Sequence, residues 1–246
     1  MFFKKKILPV THLFDDTFVD IHSHLLPSVD DGAEDINDAM ELISGMSSYG
    51  IKNFITTPHV LGDLYPNATK VIKSKLKEVQ TELKNRGFYD ISFRAAAEYM
   101  LDEQFSIRLQ NNDILTLKDN YILVEMSFFS PPINLYEILF DIHIKGYKPV
   151  LAHPERYVFF HSDVNNYYKL KKAGCLFQLN FLSLTDHYGK DIRKACEKLL
   201  KLGLYDFVGT DIHHSKHLKL LKLIVTEKNK KKLKLLLTNN SKFFSN

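Results

Sequence analysis

Seven short apolar runs separated by helix-period segments constrain this chain more than any other feature of it. The runs cover 18–22, 53–57, 91–98, 121–126, 149–152, 176–180 and 207–210. Between them, Ile36, Met40, Ile43 and Met46 share one helical face ahead of Gly50, and Ile72, Leu76, Val79 and Leu83 do so ahead of Gly87. Leu135, Ile138, Leu139 and Ile142 precede Gly146, and Ile192, Ala195, Leu199 and Leu202 precede Gly203. Glycine at such a point ends a helix in the left-handed conformation without steric cost. Strand then helix, repeated, implies parallel strands. The expected fold is therefore α/β, an irregular (β/α)7 TIM-like barrel, with a doubly wound open sheet as the alternative. Residues 1–17 read as an N-terminal arm on the barrel, and 219–246 as a C-terminal helical tail with amphipathic stretches at 220–225 and 233–237. No linker or repeat divides 1–246, so one domain is expected.

Composition excludes several functions. With 45% hydrophobic and 25% charged residues among 246, the chain can bury a core and is not disordered as a whole. Its net charge of +4 comes from scattered lysines, and the densest run, 228–234, is broken by Asn229 and Leu233. That pattern is a solvated helix face rather than a nucleic-acid stripe, so no nucleic-acid partner is expected. Cys175 and Cys196 form no CxxC pair and suit a reduced, cytoplasmic chain. Neither is followed by the arginine-containing turn a cysteine-based phosphatase needs. The basic start at residues 1–10 has too short an apolar run for a signal peptide, and no stretch approaches the ~18 apolar residues of a membrane span.

The ends of the runs carry the chemistry. On a strand, residues i and i+2 point the same way, so His22 and His24 present two imidazoles to one point. His59 follows the second run, Glu98 ends the third and Glu125 lies at the end of the fourth. His153 follows the fifth, and Asp211 and His213 follow the last. Strand C-termini open on one face of such a barrel, the face where active sites form. A lone histidine after a strand would be structural, but this set together points to a multinuclear metal centre of mixed imidazole and carboxylate ligands. His12, His143, His161, His187, His214 and His217 read as surface or capping residues, and Tyr167–Tyr168 as a helix packing face. Phe128, Phe129 and Tyr157 divide evenly between core filling and substrate contact. Asp30 and Asp31 precede Gly32 in a sequence that also suits a turn or helix start, so one can cap and the other reach a metal.

The segments His-Ser-His-Leu-Leu-Pro-Ser-Val-Asp-Asp-Gly, Thr-Pro-His, Ala-Glu-Tyr, Val-Glu-Met-Ser, Ala-His-Pro-Glu-Arg-Tyr and Gly-Thr-Asp-Ile-His stand in that order between 18 and 213. Together they resemble the polymerase and histidinol phosphatase (PHP) superfamily, and within it the bacterial protein-tyrosine phosphatases of capsular and extracellular polysaccharide synthesis. The resemblance implies the PHP fold and three divalent metals, manganese first, with iron, cobalt, zinc or magnesium as other candidates. It places His22, His24, Glu98 and Asp211 on one metal. Glu98 would bridge to a second held with Glu125 and His153, and Asp31, His59 and His213 would hold the third. Asp30 is then a neighbour.

The expected activity is hydrolysis of phosphotyrosine by a hydroxide held between metals, with Arg156 as catalytic fork to the phosphoryl oxygens. An ion pair of Arg156 with Glu155 is the rival structural role. The expected partner is a phosphotyrosine protein, an autophosphorylating tyrosine kinase of polysaccharide export; oligomer contacts through the arm stay open. Superfamily members carry an arginine beyond the last motif where this chain has His214-Ser215-Lys216-His217, so an anion contact there falls to Lys216. Rival readings are a histidinol-phosphate-like alkyl phosphatase, a PHP-type nuclease and a non-catalytic metal-binding module.

Overall fold

The computed structural model describes residues 14–224 and 227–244. All paired strands run parallel. In chain order they are β1 Val19–Asp20, β2 Asn53–Thr56, β3 His59–Val60, β4 Ser92–Ala95, β5 Glu98–Met100, β6 Tyr121–Glu125, β7 Lys148–Ala152, β8 Leu176–Asn180 and β9 Phe207–Gly209. The helices are α1 Ile36–Ser48, α2 Thr69–Asn85, α3 Glu103–Gln110, α4 Leu135–Ile144, α5 Asn165–Lys172, α6 Lys190–Lys201, α7 Ser215–Ile224 and α8 Glu227–Phe244.

The nine strands make seven staves, because two staves are broken at one level. β1, β2 and β4 form one sheet, and β3 leads a second in the order β3-β5-β6-β7-β8-β9. β2 gives way to β3 at Thr57–Pro58, and the single run expected over 91–98 divides into β4 and β5 at Ala96–Ala97. Proline has no N–H to give the ladder. The break is spanned by Ala96 N donating to Thr56 O and Glu98 N donating to Pro58 O. The sheet then curves round until Ser23, beyond β1, bridges in parallel to Ile212, beyond β9. The open doubly wound sheet is thereby excluded.

Alternation sorts the strand residues between two cores. Val19, Ile55, Leu123, Val150 and Phe207 pack inside the barrel, while Phe54, Ile122, Val124, Leu151 and Val208 face the helices. Each fully buried residue of this size contributes roughly 1.5–3 kcal/mol. α1 shows how a helix is fixed: Asp35 accepts from the backbone N of Asn37 and Asp38 as N-cap, a contribution of about 1 kcal/mol. Met40, Ile43 and Met46 then bury as expected. Gly50, Gly87, Gly146 and Gly203 lie beyond their helices at positive φ. On α6 the face is rotated from expectation, with Cys196 and Leu199 buried and Leu202 exposed.

The tail does more than add helices. Phe244 at the end of α8 is fully buried against Phe207 and Tyr121, with ring centroids 4.8 and 5.7 Å away, and plugs the barrel at the strand N-termini. Asn240 donates to Val19 O and Val208 O and accepts from Val208 N, stitching β1 to β9 where no ladder joins them. Of the expected arm, residues 1–13 lie outside the described residues, and Phe14 packs on Phe18 and Phe181. Val225 of the expected 220–225 stretch also lies outside them.

Candidate metal centre

With one end plugged, the other end collects the polar side chains. His22, His24, Asp31, His59, Glu98, Glu125, His153, Asp211 and His213 all meet there, in groups whose donor atoms lie within 4.8 Å of one another. Two of the nine are held in a backbone conformation that side chains disfavour. His153, just past β7, has φ 33°, and Asp211, just past β9, has φ 52°. Such strain costs on the order of 1–3 kcal/mol per residue and persists only where packing imposes it. At Asp211 the backbone N donates to His22 O at 2.7 Å, tying the turn to the first stave. Gly32 is as constrained by contact: a Cβ there would fall 2.2 Å from His24 O.

Hydrogen bonds fix which ring nitrogens face inward. His22 Nδ1 lies 2.8 Å from Gln178 Oε1, and the Gln178 amide is oriented by donating its Nε2 to Leu179 O. An amide oxygen only accepts, so His22 Nδ1 carries the proton and Nε2 points to the centre. His24 Nδ1 is held likewise by Asp30 Oδ2 at 2.8 Å, and His213 Nδ1 by the Asp211 carbonyl at 3.0 Å. Partners of this kind on the far nitrogen are the usual support of metal-binding histidines.

The inward atoms crowd against one another, and the few contacts they make are within the cluster, as between His153 Nε2 and Glu98 Oε1 at 3.0 Å. His22 Nε2 and His24 Nε2 stand 3.3 Å apart, each also near Asp211 Oδ1, at 3.3 and 3.4 Å. Glu98 Oε2 and His59 Nδ1 are buried there without a hydrogen-bond partner. His59 Nδ1 approaches Glu125 Oε1 at 2.9 Å and Glu98 Oε2 at 3.2 Å. Converging lone pairs of five imidazoles and four carboxylates fit divalent cations.

Electrostatics point the same way. Burial opposes charge on Glu98, but His22 and His59 outweigh it and hold the carboxyl well below its usual range. Asp211 follows the same balance, with His22 and His213 overcoming burial. The carboxylates in turn raise His22, raise His24 strongly and lift His59 to about 9, each against its own burial. This pocket demands positive charge. Supplied as second protons on His22 and His24, it would set N–H against N–H at 3.3 Å; supplied as cations, it leaves both Nε2 atoms as donors.

Beside these residues opens a cavity of about 240 Å³, lined among others by Arg156, Phe128, Tyr188 and His217. The Arg156 guanidinium lies between the rings of Phe128 and Tyr188, 4.4 Å from each centroid. Its Nη1 donates to Asp211 Oδ2 at 3.0 Å, an atom that Asn180 Nδ2 also reaches at 2.6 Å. Arg156 therefore does not pair with Glu155. That side chain turns away, accepts from Asn180 N and Tyr205 Oη, and has its carboxyl pushed up by burial.

The donor groups overlap. His22, His24 and Asp211 stay together, as do Asp31, His59 and His213, now joined by His24. Glu98 is shared by a group with His22 and His153 and one with His59 and Glu125, and His153 Nε2 lies 3.0 Å from Glu98 and 4.0 Å from Glu125. At the last motif His214 and His217 line the cavity, whereas Lys216 is exposed on the first turn of α7 and is not among the lining residues. His143 and His161 do cap backbone, at Ala173 O and Glu155 O. Tyr167 is buried but Tyr168 is 44% exposed, so only the first packs. Gln178, Asn180 and Tyr188 carry no ligand-type signal in the sequence and emerge only from the strand order.

Comparison with known proteins identifies the family. The family described as capsular polysaccharide synthesis, CpsB/CapC, matches residues 18–242. A putative tyrosine-protein phosphatase, CapC of Staphylococcus aureus, is 30% identical over 198 residues, 79% of this chain and 76% of that one. The tyrosine-protein phosphatase YwqE of Bacillus subtilis is 30% identical over 199 residues, 80% of this chain and 78% of its own length. Among solved structures, one from the study of YwqE and of CpsB from Streptococcus pneumoniae, metal-dependent tyrosine phosphatases, superposes with TM-score 0.82. It is 27% identical and covers 92% of this chain and 94% of that one. The chain belongs to the CpsB/CapC family of capsular polysaccharide synthesis.

Proposed function

We propose that this protein is a metal-dependent protein-tyrosine phosphatase whose substrate is a phosphorylated protein, a tyrosine kinase of polysaccharide export. The observation that carries the reading is the convergence of nine donor side chains, with unpaired inward atoms, beside an arginine held for anion contact. The metal-dependent tyrosine phosphatases among its relatives support it. His22, His24, Asp31, His59, Glu98, Glu125, His153, Asp211 and His213 are the proposed ligands of three divalent ions, manganese first. When bound, such ions neutralise phosphoryl charge and make water a competent nucleophile near neutral pH.

The chain's own residues then position the substrate. Nη1 of Arg156 is engaged by Asp211, while Nε and Nη2 make no hydrogen bond among the described residues. Phe128 and Tyr188 both pack their rings on the guanidinium, so the remaining fork is held to meet two phosphoryl oxygens. Burial opposes charge on Arg156, and Asp211 more than restores it, so the fork stays cationic. A phenolate leaving group, of pKa ~10, departs without a strong general acid. Positioning and charge stabilisation therefore supply most of the catalysis.

A cytoplasmic location accords with two free, buried cysteines; no helix among the described residues is long and apolar enough to cross a membrane. The test is a phosphotyrosine-peptide assay on metal-stripped protein, resupplied with manganese, iron, cobalt, zinc or magnesium in turn, with bound metal counted alongside. Turnover should return with three ions bound. Binding without any turnover would reduce the protein to a metal-binding module, and preference for alkyl over aryl phosphates would point to the alkyl phosphatase.

A further inference from the structure

The cavity beside Arg156 measures about 240 Å³, below the ~300–1,000 Å³ of ordinary ligand pockets, so it takes one phosphorylated side chain and little more. The polypeptide carrying that side chain has to lie on the rim. One sector of the surface, which begins at the rim and runs down α4, is unlike the rest. Of sixteen exposed large apolar residues among those described, six fall between 128 and 144: Phe128, Phe129, Ile133, Tyr136, Phe140 and Ile144. Single exposed apolar residues need no explanation, but a run of them rimmed by polar groups marks an interaction surface. Phe129 and Ile133 are 95% and 108% exposed, as open as side chains can be. Tyr136, Phe140 and Ile144 recur every four residues and so share the outer face of α4, a strip of about 12 Å.

Continuity with the cavity says what lies there. Phe128 belongs to both, lining the cavity with its ring over Arg156 and 5.7 Å from the His153 ring, and Phe129 follows it directly. The loop between is preset: Pro131 and Pro132 lock two φ angles, and Phe129 N donates to Ser127 Oγ. A preformed shelf loses little entropy when it is covered. Burying this shelf in a contact between two copies would crowd the mouth that a protein substrate must enter.

Resting on the phosphatase reading above, we propose that Phe129, Ile133 and the start of α4 at Tyr136 dock the substrate polypeptide by an apolar residue next to its phosphotyrosine. The test compares two phosphotyrosine peptides, one with leucine and one with serine beside the phosphotyrosine, and p-nitrophenyl phosphate, on the wild type and on F129S/I133S. The wild type should favour the leucine peptide about tenfold in kcat/KM, mainly through KM. The double variant should lose that preference while its kcat/KM on p-nitrophenyl phosphate stays within twofold, which also shows that it folds. No preference in the wild type, or one that survives in the variant, overturns the docking role. A variant that shifts from dimer to monomer in sedimentation with its peptide preference intact assigns the shelf to a second copy instead. If manganese-loaded wild type cleaves none of the three compounds, the phosphatase reading itself has failed, and the shelf's role with it.

Discussion

The inner and outer halves of the donor cluster differ in how they are held. His22, His24, Glu98 and Asp211 are at most 1% exposed, and Gln178 and Asp30 fix the two imidazoles. At the rim, the side chain of Asp31 is 57% exposed, that of His59 15% and that of His213 14%. The inner donors are set by the barrel's own packing, whereas the outer ones depend on a loop and on solvent-facing rings. An ion in the inner half should therefore be retained and one at the rim exchanged.

Breaking the inner half should cost most. Glu98→Ala removes a donor shared by two of the groups, and kcat should fall by about 10³-fold with metal content lowered in elemental analysis. Arg156→Ala should cost about 10²-fold in kcat with bound metal unchanged; loss of metal instead would end its assignment to the substrate. Gln178→Ala frees the His22 ring and should weaken metal affinity about 10- to 100-fold, with activity recovered at high manganese. At the rim, Asp31→Ala should lose one ion and roughly tenfold in activity, whereas Asp30→Asn should keep the ion count at saturating metal. Equal retention of all ions by the Asp31 variant under a limiting chelator would erase the distinction between halves. Smallest of all, iodoacetamide should leave turnover unchanged, because burial pushes Cys175 up to about 12 and Cys196 well above its usual range.

Eight of the nine donors were legible because each stands at or just past the end of an apolar run, a local signal that needs no knowledge of neighbours; Asp31 rested on the family resemblance alone. Their supports were not. Gln178 and Asn180 lie within β8 and read as ordinary strand residues until β8 is seen between β7 and β9. Adjacency suggested Glu155 for Arg156, but the tight turn at Pro154–Arg156 sends consecutive side chains apart, one to Tyr205 and the other to Asp211. The break dividing 91–98 leaves no mark in the sequence, because two alanines carry no turn signal. Asp30, expected as a neighbour of the ligands, anchors both the His24 ring and the His59 backbone N.

The seam between β1 and β9 has a consequence for how the chain reaches this state. No ladder joins those two strands; Asn240 stitches one end, and Asp20 holds Thr210 across 190 residues of sequence in the middle. At the far end of the same seam stand His22, His24 and Asp211. Contacts between such distant parts of a chain form late, since the loop they close is nearly the whole molecule. A cation shared by these three side chains would act as a clasp on the last joint to form, and by mass action it would favour the closed ring over the open one. Metal supply would then govern how long the newly made barrel stays shut, before any phosphate arrives.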